Sequence, residues 1–136
     1  MKKYFKKINQ KLLERLGEKY KLNFIVLFGS QADGTARAAS DFDIAYSSQR
    51  DISYGEEAFL LSDLARAIKI NPKQIDLVNI RNANPLLKKE IADQGVIIKE
   101  FVPDSFENFQ VYAFKIYVEA KPLFRMQEEY VKRNIV

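Results

Sequence analysis

The chain has 136 residues, with 22 Lys/Arg against 18 Asp/Glu, 47% hydrophobic residues, and neither cysteine nor histidine. This is enough for one domain with its own core, and it excludes disulfides, thiolate or imidazole metal sites, a histidine general base and a Ser-His couple. A bound metal is left to oxygen donors, which favour magnesium or manganese over zinc.

Residues 1–21 carry eight Lys/Arg and two Glu, so the positive charge sits at the front of the chain. Phe5, Ile8, Leu12 and Leu16 recur at steps of three and four, giving one apolar stripe with lysines opposite. This predicts a helix over residues 1–20, with Gly17 as a stop signal unless the helix runs on to Lys19. Its lysines read as a solvated face or a surface for an acidic partner; direct nucleic-acid binding is not expected. No apolar signal core follows the lysines, and the apolar runs are too short to cross a bilayer. A cytoplasmic chain without membrane association is expected.

Leu22 to Phe28 (LNFIVLF) is β-branched, aromatic and bounded by Gly29, which predicts a buried strand. Asp41 to Tyr46 predicts a second strand with Asp41, Asp43 and Ala45 on one face. Tyr54 to Ile70 reads as a helix ended by Asn71-Pro72, and Gln74 to Ile80 (QIDLVNI) as a third strand. Asn84-Pro85 looks like an N-cap followed by proline at N1, opening a helix that closes at Gly95, a C′ candidate. Val96 to Ile98 makes a short last strand.

From Pro103 the character changes. Asp104 or Ser105 can cap a long helix over 104–133, with Pro122 predicted to kink it. Thirty helical residues span about 45 Å, more than a core of about 100 residues can cover. The helix must fold back at Pro122 or project. Phe106, Phe109, Tyr112, Phe114, Tyr117, Phe124 and Tyr130 occupy more than one of its faces, so burial on two sides within the chain competes with an oligomer or partner surface.

The chemistry concentrates in LFGSQADGTARAASDFDIAY, Leu27 to Tyr46. On a strand, Asp41 and Asp43 face the same way, roughly 6.5–7 Å apart at the backbone. Two carboxylates so placed can share one or two cations, and a pair of metals can clamp the attacking and leaving oxygens of a phosphoryl displacement. A third carboxylate, Asp76, lies between Ile75 and Leu77. Taken alone it fits a solvated strand edge equally well. Beside the Asp41/Asp43 pair it completes a three-carboxylate metal site, because an unpartnered charge in an apolar run is costly to bury. Gly29 permits a tight turn and close approach of a ligand, and the Ser30 hydroxyl and the amides after it suit phosphate. Gly29 and Gly34 have P-loop spacing, but Thr35-Ala36 replaces the required Lys-Ser/Thr, so that reading fails.

Gly-Ser, ten residues, then Asp-x-Asp after a buried strand resembles the DNA polymerase β-like nucleotidyltransferase superfamily. The small size resembles its minimal nucleotidyltransferase (MNT) antitoxin branch. The resemblance covers roughly residues 22–98 and the last helix more loosely. It implies an α/β (α+β) fold: a small mixed sheet of about four strands flanked by helices, a single nucleotidyltransferase domain over 1–136 with a catalytic core at 22–98. It also implies roles. Gly29 and Ser30 would hold the triphosphate, and Asp41, Asp43 and Asp76 would bind magnesium, two ions in such sites. Asp76 would also take the proton from the acceptor hydroxyl. Gln31 stands where many relatives carry arginine; Arg37 is a candidate substitute contact, or a solvated loop charge.

The branch further implies a function. Similar stand-alone MNT proteins act as antitoxins beside a HEPN-domain ribonuclease toxin, transferring AMP from ATP to a toxin tyrosine. A protein adenylyltransferase in a hetero-oligomer with its toxin is therefore the leading expectation. The alternatives are a non-catalytic antitoxin that masks the toxin by binding, and a nucleotidyltransferase acting on a small hydroxylated molecule.

Overall fold

The computed structural model describes Phe5, residues 7–35 and residues 41–134. Four strands form one sheet in the order β3-β2-β1-β4: β1 Leu22–Phe28, β2 Phe42–Ser48, β3 Ile75–Asn79 and β4 Val96–Glu100. β1 pairs antiparallel with both β2 and β4, whereas β2 and β3 run parallel, joined through helix α3, Tyr54–Ile68. The sheet is therefore mixed, as the family resemblance implies. A parallel pair needs a long crossover, and α3 is that crossover.

Strand alternation sorts the side chains into two cores. Ile25 and Leu27 of β1, Ile44 and Tyr46 of β2 and Ile75 of β3 face α3 and α1, Gln10–Tyr20, meeting Leu13, Leu16, Leu60, Leu64 and Ile68. Phe24, Val26, Phe28 and Ala45 face the other way, against Ile91 and Ala92 of α4, Pro85–Gln94, and Phe106, Phe109 and Ala113 of α5, Ser105–Asn134. Six of the seven β1 residues are buried because the strand is central and covered on both faces.

The helix ends show how the chain punctuates itself. α1 begins only at Gln10, capped by Asn9 Oδ1, which accepts the Leu12 N–H at 3.1 Å; Phe5 and Ile8 pack on the core from the segment ahead of it. Gly17 does not stop α1. It lies inside the helix, where a Cβ would sit 2.2 Å from Phe101 Cε1, so the ring takes the place of a side chain. Left-handed C-caps fall instead to Lys21 and Lys69. Gly95 closes α4 with an ordinary φ of −60°. α3 has the Ser53/Glu56 capping box, and Asn84 caps α4 ahead of Pro85.

α5 is held at its start by a side chain presented from β4 rather than by the expected caps. Glu100 Oε2 accepts the Phe106 N–H at 3.1 Å, and the Ser105 hydroxyl donates to the Asn23 carbonyl at 3.1 Å. Phe24, Phe106 and Phe109 form an aromatic cluster with centroids 5.2, 5.7 and 6.2 Å apart. α5 then runs unbroken through Pro122, with no buried residue beyond Ala113. The chain does not fold back there; the distal helix projects, with Leu123, Met126 and Tyr130 exposed.

Because the Phe101 ring occupies the Cβ position of Gly17, Gly17→Ala should destabilise the fold by about 1–3 kcal/mol through overpacking, despite the better helix propensity of alanine. The measurement is the urea unfolding midpoint. Adding Phe101→Leu to Gly17→Ala should recover part of the loss, since the two positions are in contact.

Candidate active site

β1 delivers Gly29 to the end of the sheet with φ 72° and ψ −157°, a combination essentially confined to glycine. The chain then turns into one short helix, α2, Ser30–Asp33, where the Ala32 and Asp33 amides donate to the Gly29 carbonyl at 3.1 and 3.2 Å. Asp33 closes the turn by accepting the Thr35 amide and hydroxyl at 2.9 and 2.6 Å, which holds its carboxyl below the usual range. Ser30 is thus fixed at the head of α2, beside the sheet end.

Asp43 reaches the same place from β2. It pairs across the sheet with Phe28, so its carboxylate comes to rest on Gly29: a Cβ there would lie 2.2 Å from Asp43 Oδ2. Glycine is required at this position twice over, by the backbone and by the carboxylate. Asp76 is the parallel register partner of Asp43 on β3, which brings the two carboxyl-bearing positions side by side. Ala45 and Val78, two residues further along each strand, lie with the α4/α5 core, so the carboxylates occupy the end of that same face. Asp41 stands just ahead of β2, exposed. Arg37 lies outside the described residues.

The electrostatics follow from this gathering. Asp43 is half-buried, and its carboxyl is pushed above the ordinary range, first by burial and then by the negative charges of Asp76, Asp41 and Glu90. Among the described residues, no three Asp, Glu, His or Cys side chains are drawn together as a metal-binding group. The donor chemistry nevertheless fits a hard divalent cation: all the candidate ligands are carboxylates, and the repulsion focused on Asp43 is what such a cation relieves.

Two contributors were not read from the sequence. Glu90 and Gln94 lie one turn apart on α4. Glu90 adds to the field on Asp43, and Gln94 Oε1 accepts the Gly29 N–H at 3.2 Å. Nothing in the local pattern of PLLKKEIADQ separates them from solvated helix positions; only the packing of α4 across the sheet aims them at the turn.

Residues 10–101 match the polymerase β nucleotidyltransferase family. Over 118 residues the chain is 30% identical to the protein adenylyltransferase MntA of Aphanizomenon flos-aquae, covering 82% of this chain and 79% of that one. It is 35% identical over 75 residues to the MntA of Shewanella oneidensis, 55% of this chain and 52% of the relative. In structure it resembles a chain from a crystal structure of a toxin–antitoxin with AMP-PNP, with a TM-score of 0.73 and 26% identity, over 92% of this chain and 99% of that one. A chain of the tri-AMPylated HEPN toxin in complex with MNT antitoxin from S. oneidensis shares the fold, with a TM-score of 0.67 and 24% identity over 91% and 96% of the two chains.

The raised Asp43 carboxyl has a consequence for stability. The folded state binds the Asp43 proton more tightly than the unfolded state does, so the protein loses stability as pH rises through the raised value. Asp43→Asn should therefore melt at a higher temperature than the unsubstituted protein at pH 7 in the presence of a metal chelator. The difference should close once the pH falls below the ordinary aspartate range of about 3.9. Thermal unfolding across pH tests this, and a lower melting temperature for the variant at pH 7 would contradict it.

Proposed function

The chain belongs to the polymerase β nucleotidyltransferase family, and from that premise we propose that it is the antitoxin of a HEPN/MNT pair, a magnesium-dependent protein adenylyltransferase that transfers AMP from ATP to a tyrosine of its toxin. The observation that carries this reading is the Gly29–Asp43–Asp76 arrangement in a chain that aligns over most of its length with an MntA.

In this reading Gly29 and Ser30 hold the triphosphate, with Arg37 assigned to it on the sequence alone. Magnesium fits the carboxylates of Asp41, Asp43 and Asp76 and supplies charge neutralisation to the phosphates when bound. The chemistry is an in-line displacement. The tyrosine oxygen forms a bond to the α-phosphorus of ATP as the bond from that phosphorus to the bridging α–β oxygen breaks, and pyrophosphate leaves with the electron pair. The phenolic proton passes to a carboxylate, Asp76 being exposed and adjacent to Asp43. With no histidine in the chain, a carboxylate is the natural base.

The acceptor's route to the site is supported by α5. A helix with Phe114, Val118, Leu123, Met126 and Tyr130 exposed along its projecting part offers a large apolar surface to a protein partner. No described helix is long and apolar enough to cross a membrane. The use of ATP places the pair in the cytoplasm in this reading.

The test uses the chain with its HEPN partner, α-labelled ATP and magnesium. Label should appear on the partner, and Asp43→Ala should reduce transfer by at least about 100-fold, the scale of losing one preorganised electrostatic contact to the transition state, while the complex still forms. A tight complex with no label on the partner would overturn catalysis and leave an antitoxin that acts by masking.

A further inference from the structure

Gly29 carries two demands at once. Its backbone must hold the glycine-only conformation, and its Cα must stay beneath the Asp43 carboxylate. Nothing in the flanking sequence enforces the first: no side chain caps α2, and α2 is only four residues long. A side-chain hydrogen bond reaches this turn from 65 positions away, where Gln94 Oε1 accepts the Gly29 N–H at 3.2 Å.

Gln94 is itself well anchored. It is the last residue of α4, one turn beyond the buried Ile91 and Ala92, and the Ala92 carbonyl accepts the Gln110 amide of α5 at 2.9 Å. The hydrogen bond therefore ties the turn to the rigid α4/α5 layer rather than to a loop. It also commits the Gly29 N–H to the protein, so Gly29 serves the triphosphate through its turn and its open Cα, and Ser30 supplies the donors.

The chemical identity of residue 94 fits the same purpose. Asp43 already feels Asp76, Asp41 and Glu90. A glutamate at 94 would also accept the Gly29 N–H, but it would add a further negative charge beside a turn meant for a triphosphate. Glutamine supplies the acceptor without the charge.

We propose that Gln94 is a positioning residue for the nucleotide: its side-chain oxygen locks the Gly29–Ser30 turn against Asp43, and its neutrality keeps that turn open to a triphosphate. This rests on the nucleotidyltransferase reading above. Gln94 does not touch the reacting atoms; it acts through Gly29.

Two variants separate the two halves of the idea. Gln94→Met keeps the length of the side chain and removes the acceptor. Gln94→Glu keeps the acceptor and adds charge. Exchange of the Gly29 amide, followed by NMR, reads the hydrogen bond directly and needs no activity. It should accelerate in Gln94→Met by roughly fivefold, and stay close to the unsubstituted rate in Gln94→Glu. The affinity for ATP with magnesium, by calorimetry, should weaken by roughly fivefold in both variants, from lost positioning in one and repulsion in the other. In the transfer assay, the change should appear in KM for ATP with kcat held within about twofold. Gly29 exchange unchanged in Gln94→Met overturns the lock. Faster exchange with unchanged ATP affinity shows a merely structural bond and overturns the positioning role. Unchanged affinity in Gln94→Glu overturns the argument from neutrality. If the unsubstituted chain binds ATP but transfers nothing, the adenylyltransferase reading fails, and the exchange and affinity results still decide the role of Gln94. A chain that binds no ATP overturns both.

Discussion

The contact between the Asp43 carboxylate and the bare Cα of Gly29 is the constraint on which the rest of the site depends. It exists because Phe28 and Asp43 are cross-strand partners, so the residue after Phe28 must turn away over the carboxylate. It fixes glycine at position 29, and it fixes where the Gly-Ser turn stands relative to the acidic strand ends. Because β2 and β3 run parallel and in register at 43 and 76, it also sets the turn beside the second carboxylate. A one-residue slip of β2 would send Asp43 to the α1/α3 face and Ile44 to the site. The register is held against that slip by Ile44 and Tyr46, both buried on the α1/α3 side, where the Tyr46 hydroxyl donates to Glu57 at 2.6 Å.

The two cores therefore divide the work. The α1/α3 side is closed and apolar, and its polar groups are paired: Tyr20 with Asp63, Tyr46 with Glu57, Arg50 with Glu56. Burial in this layer, with Ile25 and Leu27 of β1 at its centre, stabilises the fold. The α4/α5 side carries the functional features. Its apolar cluster stops short at the sheet end, where Ala45 and Val78 give way to Asp43 and Asp76 along the same faces. Beyond the domain, α5 continues with apolar side chains that the chain itself does not cover. Charge at one end of the layer and exposed hydrophobic surface along its helix are both unfavourable to an isolated domain, and each is relieved by something that binds.

Much of this was legible in the sequence because its signals are local. Four strands and a long last helix follow from short β-branched runs, capping residues and helical periodicity, and the mixed sheet from the family resemblance. Gly29, Ser30, Asp43 and Asp76 could be named because each ends or interrupts an apolar run. Most of what the local pattern misses is set by packing between elements. Gly17 reads as a helix stop, but its role is to admit the Phe101 ring. Asp104 and Ser105 read as caps for α5, but the side chain that accepts an amide at the helix start is the Glu100 carboxylate, presented from β4. The stripe that starts at Phe5 predicts a helix over residues 1–20, but α1 begins at Gln10, because Asn9 caps it and Phe5 and Ile8 reach the core from outside the helix. Glu90 and Gln94 look like any polar pair on a surface helix until α4 is laid across the sheet.

The excess of negative charge around Asp43 gives the strongest physical link between the fold and its chemistry. Asp76, Asp41 and Glu90 each disfavour an ionised Asp43, and burial disfavours it further. A fold selected for stability alone would not gather these groups, since any one of them could be neutral at no cost to the sheet. Holding these like charges together at the strand ends opposes folding, and burial elsewhere in the domain offsets it. Ligands that bring positive charge return part of that energy and bind the folded state alone, so occupancy and stability rise together. Gln94 fits the same logic from the opposite direction. At the point where one more carboxylate would be easiest to place, facing an N–H that needs an acceptor, the chain carries an amide. In the proposed reading, the acidic strand ends draw in cations while the turn beside them stays accessible to phosphate.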